Sequence, residues 1–491
     1  MRQHRRDAIL LRAAPVFTFH INSVDCAFYF SRYNIKTRIN NRIMGAFHAY
    51  DIRGIYNKDF NKEDVYRIGY FLPQLLGTTK ILVGRDARES SPEIFEFLAK
   101  GINDAGADVF DIGLATTPLV YYTTAKLGFK ASVQITASHN PREYNGLKIS
   151  RENALPVGYD SGLKELEALV LGGNAEALQK RGSITPVKVK EEYLEFLKSK
   201  MEDISDLKLV VDCSNGMAGL FVQQVFGDAP TYIYEDVDGT FPNHEPNPLE
   251  EPNLADLKAL VNHTKSDIGL IFDGDGDRVM FVDEKGAFVS PDLIIALLGH
   301  YFLEGKPAGQ KVLQDIRSSK AVGEYLRKSF GAEVHTWRVG RAFAALKLRE
   351  IDGVYGGELA GHYYFKDFFY SDSGILAAIL ALNVVARLKK KGISFSEAIA
   401  AISCYHNSGE INFKIEQKQE AMDAIKKHFE ETEAVTAYYD FDGYRLEFAD
   451  WWFNVRPSNT EPYLRFLAEA TSEDLLVAKV KAVKAIISSF R

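Results

Sequence analysis

The chain has 491 residues, 46% of them hydrophobic and 25% charged, with a formal net charge of -7 at pH 7. That is the composition of a globular protein with large cores, and the length accommodates about three to four domains. The negative balance argues against a nucleic-acid binder held by a global positive field, and no run reaches the roughly 18 apolar residues that a bilayer span needs. Cys26, Cys213 and Cys404 are far apart and form no C-x-x-C spacing. This fits a reducing, cytoplasmic compartment with no disulfide framework.

Residues 1–43 differ from the rest, carrying eight Lys/Arg against Asp7 and Asp25. Arg12 interrupts the one apolar stretch that could serve a signal peptide, so secretion is not expected. A transit peptide would share this basic, acid-poor character. A start of translation at Met44, just before GAFHAYDIRG, explains the extension equally simply and is the preferred reading. The extension is therefore expected to be disordered or absent from the native product.

From there a strand–helix–strand unit recurs. KILVGRDARESS over 80–91 reads as a strand and a polar loop, followed by a helix from Pro92 and the strand ADVFDI from Ala107. LKLVVDCSNGMAG from Leu207 begins a second unit, with helix FVQQVFG and strand TYIY. QKVLQDIRSSK from Gln310 begins a third, with helix AVGEYLRKSFG and strand AEVHT. Each spans about 30 residues, the length of a right-handed βαβ unit with parallel strands. Three such units predict three similar α/β domains. After residue 405 the pattern changes. GEINFKI and YRLEF alternate like half-exposed strands around the helical QKQEAMDAIKKHFEE, and EDLLVAKVKAVKAIISSF closes as a helix. That predicts a smaller α+β domain. The domains are expected at 44–187, 188–290, 291–404 and 405–491.

Four loops carry polar chemistry. The strand ASVQI over 131–135 ends in TASHNP, which places Ser138 at an exposed strand tip. Asn-Pro there is a turn signal, and no G-x-S-x-G elbow makes the serine a hydrolase nucleophile. His139 offers no Ser-His pair, because neighbours on an extended chain face opposite ways. The stretch IFDGDGDR over 271–278 sets Asp273, Asp275 and Asp277 at alternate positions between two strands. Carboxylates spaced by glycine can converge on one divalent cation, Mg²⁺ first, since the ligands are hard oxygens. An EF-hand is excluded by Arg278 at the sixth position and by strands on both flanks. A solvated acidic hairpin would leave three crowded charges uncompensated.

In WFNVRPSNTEPYLR, from Trp452, a strand ends in Arg456, Ser458, Asn459 and Thr460. An arginine fork with hydroxyl and amide donors can hold a phosphate, though the same residues also make an ordinary turn. In VYGGELAGHYYF, from Val354, Glu358 can accept bonds from sugar hydroxyls. His362 could donate a proton near neutral pH or be merely structural. YDIRG over 50–54 adds Arg53. A ligand touched by all four loops would lie in a cleft between domains.

Taken together and in order, these motifs resemble the α-D-phosphohexomutase superfamily, most closely its bacterial phosphomannomutase/phosphoglucomutase branch. The resemblance runs from about Met44 to Arg491. It implies a heart-shaped α/β enzyme with three similar domains and a smaller fourth around a central cleft. It further implies that Ser138 is a phosphoryl carrier that also faces the Mg²⁺ held by Asp273, Asp275 and Asp277. The implied reaction interconverts mannose or glucose 1- and 6-phosphates through a hexose 1,6-bisphosphate that also primes the serine. Lys148, Arg53 and His362 would sit near the reacting oxygens. Tyr50, Arg278, Arg317, Arg341 and Glu358, again with His362, would line the substrate site, and Arg456, Ser458, Asn459 and Thr460 would clamp the distal phosphate. Sugar phosphates are the only partners implied, with no nucleic acid and no membrane.

Three departures bear on the sugar: Ala360 stands where the family usually has serine, Arg341 where close relatives have histidine, and YSDSG over 370–374 replaces the more common aspartate pair. Phosphoglucosamine mutase and a metal-dependent sugar phosphatase are the alternatives.

Overall fold

In the computed structural model, which describes Ile43, residues 45–458 and residues 463–490, the apolar runs pair into four sheets. The basic extension and the start at Met44 fall outside the described residues, as do Asn459 and Thr460.

The first sheet contains β1 (Ile52–Ile55), β2 (Lys80–Arg85), β3 (Asp108–Leu114), β4 (Ala131–Ile135), β5 (Tyr144–Arg151) and β6 (Ile184–Pro186) in the order β1-β5-β4-β2-β3-β6. Strands β2, β3 and β4 run parallel, and β5 turns back against both β4 and β1. Every residue of β4 is buried, as expected of a strand covered on both faces.

The second sheet, β11-β10-β9-β7-β8, contains β7 (Leu209–Asp212), β8 (Thr231–Ile233), β9 (Ile268–Phe272), β10 (Val279–Asp283) and β11 (Phe288–Val289). Here β7 is parallel to β8 and β9, while β9 and β10 form an antiparallel hairpin with the Asp273–Asp277 loop at its tip. The third sheet, β13-β12-β14-β15-β16, repeats the plan with β12 (Lys311–Asp315), β13 (Glu333–Trp337), β14 (Tyr355–Gly357), β15 (Tyr363–Phe365) and β16 (Ser371–Asp372). The parallel units read from the sequence are present in all three sheets, each extended by antiparallel strands.

The fourth sheet is antiparallel, β17-β22-β21-β20-β19, with β18 also paired to β22. Its strands are β17 (His406–Asn407), β18 (Ile411–Lys414), β19 (Ala437–Tyr439), β20 (Tyr444–Glu447), β21 (Trp451–Pro457) and β22 (Tyr463–Ala470), and helices Lys418–Thr432 and Glu473–Ser488 contribute apolar faces to the same core.

The first three domains share apolar packing. Tyr122, on helix Thr117–Lys126, lies 5.3 Å from Tyr193 and 5.2 Å from Phe196, and Phe196 stacks 5.7 Å from Phe368 of the third domain. Buried aromatic side chains of this kind each contribute roughly 1.5–3 kcal/mol, so the junction is a core rather than a loose contact. The fourth domain keeps a separate core around Phe429, Trp451 and Phe453. Polar groups join it to the third: Arg445 Nη1 donates to the carbonyls of Ile316 at 2.8 Å and Ser318 at 2.6 Å, and Ser319 Oγ to Glu469 at 2.6 Å.

Loops at the carboxyl ends of parallel strands are where open α/β sheets bind ligands. Ser138 follows β4 and Arg317 follows β12. Among the described residues, Cys213 is buried, Cys404 is exposed and both are unpaired, and no helix is long and apolar enough to cross a membrane.

Candidate active site

The turn signal after β4 is real, since Asn140 N–H donates to the Ala137 carbonyl at 3.1 Å. The turn does not leave Ser138 in solvent, however. Ser138 is fully buried and adopts a left-handed backbone with φ of 53°. The second domain covers it: Ser138 Oγ donates to Asp273 Oδ2 at 2.8 Å. The exposed serine expected from the sequence is thus corrected, because what buries it comes from residues 135 positions away.

Asp273, Asp275 and Asp277 are all fully buried, and one oxygen from each lies within 4.8 Å of the others. Gly274 permits the approach: a Cβ there would stand 2.5 Å from the Ser138 carbonyl oxygen. Burial, then the charges of Asp277 and Asp275, push the Asp273 carboxyl well above its usual range. Lys148 Nζ bonds Asp275 Oδ2 at 2.7 Å and Asp277 Oδ2 at 2.5 Å, and Thr117 Oγ1 donates to Asp275 Oδ2 at 2.5 Å. The other oxygens, Asp275 Oδ1 and Asp277 Oδ1, are buried without a hydrogen-bond partner. Buried carboxylate oxygens left unpaired are costly unless a cation takes them. The donor set is three hard oxygens, which fits a divalent cation such as Mg²⁺.

Positive charge surrounds this cluster. Burial alone would lower the Lys148 ammonium, but Asp275 and Asp277 outweigh it and push it up, so Lys148 stays charged. Arg278 N–H donates to Asp273 Oδ1 at 3.1 Å, and its Nε lies 3.6 Å from Asp273 Oδ2 and 3.9 Å from Asp277 Oδ1. Arg53, on β1, donates to Asn140 Oδ1 at 2.7 Å and to Asp51. Burial and then the charges of Arg278, Arg53 and Lys148 push the His139 imidazole far down, which keeps it neutral, and its Nδ1 has no partner.

His362 reaches the same cluster from the third domain, where its backbone bridges that of Arg278. Its Nδ1 lies 2.6 Å from Asp372 Oδ2 and 3.7 Å from Asp277 Oδ1. Asp372 also accepts from Arg341 Nε at 2.9 Å. Arg341 in turn donates to the Ala154 carbonyl at 3.0 Å, and its guanidinium carbon lies over the Tyr121 ring, 3.7 Å from the centroid. It therefore links the third domain to the first.

A second group of residues centres on Glu358, which is buried. Tyr364 OH donates to its Oε1 at 2.6 Å, Gly340 N–H to its Oε2 at 3.3 Å, and Arg317 Nη2 stands 3.9 Å from Oε2. Burial pushes the Glu358 carboxyl up. Arg317 is anchored on Asp315 at 2.7 Å. Tyr50 reaches across from the first domain to donate to the Val339 carbonyl at 2.9 Å. In the fourth domain, Arg456 is nearly buried and donates to Glu410 at 3.4 Å, and Ser458 N–H donates to the Tyr463 carbonyl at 2.9 Å. Burial, then the charge of Arg317 from the third domain, pushes the Arg456 guanidinium down.

Sequence reasoning did not single out Thr117, Asp372 or Tyr364, and considered His139 only as a partner for Ser138. Asp372 pairs with His362 because β15 and β16 form a hairpin, with Tyr364 opposite Asp372. The hairpin turns through Phe369 and Tyr370, both at positive φ, and no glycine marks it. Its only trace in the sequence is the aspartate of YSDSG.

Comparison with known proteins matches the four domain models of phosphoglucomutase/phosphomannomutase in order: alpha/beta/alpha domains I, II and III over residues 44–175, 191–286 and 290–405, and the C-terminal domain over 410–485. A phosphomannomutase of Salmonella montevideo is 36% identical over 90% of this chain and 99% of its own length. One from Methanocaldococcus jannaschii is 35% identical over 90% and 97%. A phosphoglucomutase/phosphomannomutase family protein of Burkholderia thailandensis superposes with a TM-score of 0.81 at 28% identity, covering 91% of this chain and 97% of that one. The chain therefore belongs to the phosphoglucomutase/phosphomannomutase family of hexose phosphate mutases, which are isomerases.

Proposed function

We propose that the chain interconverts hexose 1-phosphate and hexose 6-phosphate, of mannose, glucose or both, with Ser138 as phosphoryl carrier. The observation that carries this reading is the bond from Ser138 Oγ to Asp273 at 2.8 Å, inside a buried cluster of three carboxylates faced by Lys148, Arg278 and Arg53. A serine kept only for a turn has no reason to enter such a cluster.

In the proposed cycle, the phosphoryl group on Ser138 passes to the free 6-hydroxyl of the hexose 1-phosphate. The Oγ–P bond breaks, the sugar O–P bond forms, the protein takes up the hydroxyl proton, and a proton is delivered to Ser138 Oγ. The resulting 1,6-bisphosphate turns over and returns its 1-phosphoryl group to Ser138, leaving the 6-phosphate. Asp273, Asp275 and Asp277 would hold Mg²⁺, which when bound supplies neutralisation of negative charge on the transferring group. Lys148, bonded to Asp275 at 2.7 Å and to Asp277 at 2.5 Å, supplies a donor beside the reacting oxygens. His362, with Nδ1 on Asp372, has Nε2 left for proton exchange. Arg278 would help place the transferring phosphoryl group. Glu358, held by Tyr364, accepts from sugar hydroxyls, with Tyr50 and Arg317 beside it. Arg456 and Ser458, together with Asn459 and Thr460, would clamp the phosphate that is not reacting.

Phosphorus NMR of the protein with Mg²⁺, a trace of hexose 1,6-bisphosphate and mannose, glucose or glucosamine 1-phosphate tests this directly. A growing 6-phosphate signal is expected, fastest with mannose or glucose. Inorganic phosphate without 6-phosphate would mean hydrolysis, and preference for the glucosamine ester would move the enzyme to the amino-sugar branch.

A further inference from the structure

Ser138 has φ of 53°, a left-handed conformation that a residue with a side chain rarely adopts. Such geometry persists only where the surroundings over-determine it. Directly beneath the serine loop lies Arg88, in the stretch GRDARESS that reads from the sequence only as a polar loop after β2. Its side chain is buried. A guanidinium has five N–H donors in a fixed plane, and here each has a bond. Nη2 donates to the carbonyls of Ser138 at 2.9 Å and Asn140 at 2.7 Å, Nη1 to those of Pro141 at 2.6 Å and Tyr144 at 3.1 Å, and Nε to Asp86 Oδ2 at 3.1 Å. Four carbonyls of one seven-residue loop therefore converge on a single side chain, and the first belongs to Ser138 itself.

Arg88 is anchored from both sides. Asp86 Oδ1 accepts from the Arg88 backbone N–H at 3.1 Å and from Ser91 Oγ at 2.6 Å. Over the guanidinium, 5.0 Å from its carbon, lies the ring of Phe241 from the second domain. That segment presses close: a Cβ on Gly239 would stand 2.0 Å from the Ala87 carbonyl oxygen. The domain that carries the three aspartates thus also touches the residue that sets the serine.

We propose that Arg88 is a positioning residue for phosphoryl transfer, its guanidinium fixing Ser138 against the carboxylate cluster and Phe241 tying that setting to the second domain. The proposal rests on the reading of Ser138 as phosphoryl carrier. Arg88 contacts no reacting atom and acts through the backbone of the loop. Lysine cannot substitute, because an ammonium offers three donors from one point and cannot span four carbonyls and a carboxylate.

The test is a single turnover of the full-length enzyme. Its serine is phosphorylated with hexose 1,6-bisphosphate, and transfer to hexose 1-phosphate is then followed by rapid quench and expressed per phosphoserine. Arg88→Lys is expected to slow transfer about 100-fold, the scale of a 1 Å misplacement, with KM for hexose 1-phosphate within about threefold of wild type. Phe241→Leu, which keeps all five donors, is expected to slow it about tenfold. A purely structural role would reduce the yield of folded enzyme but not the rate per phosphoserine.

A wild-type enzyme that transfers nothing from phosphoserine would overturn the carrier reading itself. A competent wild type with Arg88→Lys at the wild-type rate would overturn the positioning role alone. Should Arg88→Lys fail to fold, Phe241→Leu decides: slowed transfer supports the proposal, and an unchanged rate overturns it.

Discussion

Gly274→Ala adds one methyl group between the two loops that the proposed reaction must keep together. Gly274 is not at positive φ, so alanine is tolerated by its own backbone, and the effect comes from contact alone. The new Cβ would stand 2.5 Å from the Ser138 carbonyl oxygen, whereas contacts below 3.0 Å essentially never occur and comfort begins at 3.4 Å. The serine loop and the aspartate loop must therefore separate by about 0.5 to 0.9 Å. Neither yields cheaply: Arg88 holds the Ser138 carbonyl from the other side, and Pro246 lies 3.3 Å from the same Cβ.

Overpacking of this kind costs about 1–3 kcal/mol of stability. Displacing a reacting group by about 1 Å costs up to about 100-fold in rate, so kcat should fall about 10- to 100-fold. Steady-state mutase assays, paired with thermal unfolding, read both effects. Gly77→Ala is the control: it sits at φ of 62° at the end of helix Lys62–Leu76 with nothing within 4 Å. It should lose about 1–2 kcal/mol of stability and no kcat. A Gly274→Ala enzyme within about threefold of wild-type kcat would refute the reasoning.

Ser138→Ala should abolish mutase turnover while the far-ultraviolet circular dichroism stays unchanged, and an active variant would remove the carrier role. Asp275→Asn keeps an acceptor for Thr117 but removes one of the three charges. The Mg²⁺ concentration for half-activation should rise at least about tenfold, and an unchanged magnesium titration would rule out the loop as the cation site. Asp372 gives a pH dependence. Burial would push its carboxyl up, but the His362 hydrogen bond and the charges of His362 and Arg341 outweigh that and hold it at about 2 against the usual 3.8. A depressed folded value contributes stability that is present above about pH 4 and lost as pH falls through 2, worth about 2 kcal/mol, with about half gone by pH 3. Denaturant unfolding of wild type and Asp372→Asn between pH 5 and 3 should show that difference narrowing; parallel curves would exclude it.

The elements and the chemistry of single loops can be read from local pattern. β2, β7 and β12 are legible because a strand covered on both faces must be a short apolar run, and the helix that follows must show its own period. The aspartate loop is legible because three carboxylates alternating with small residues between two strands have few other uses, and the motif is contiguous. Which groups meet depends on how distant segments pack.

Ser138 reads as an exposed tip because its cover comes from the second domain, through Asp273 and Gly274. Arg341, expected to line the cleft, has its partners Asp372, Ala154 and Tyr121 brought together from two domains. Thr117 and Arg88 carry no local mark, and Asp372 shows only as the aspartate of YSDSG. A hydroxyl, a carboxylate and a guanidinium are common in loops, and only the pairing of distant segments gives each its partner. Local periodicity reports how a segment folds against any core. The identity of a hydrogen-bond partner depends on positions far away in the chain, and no local pattern encodes it.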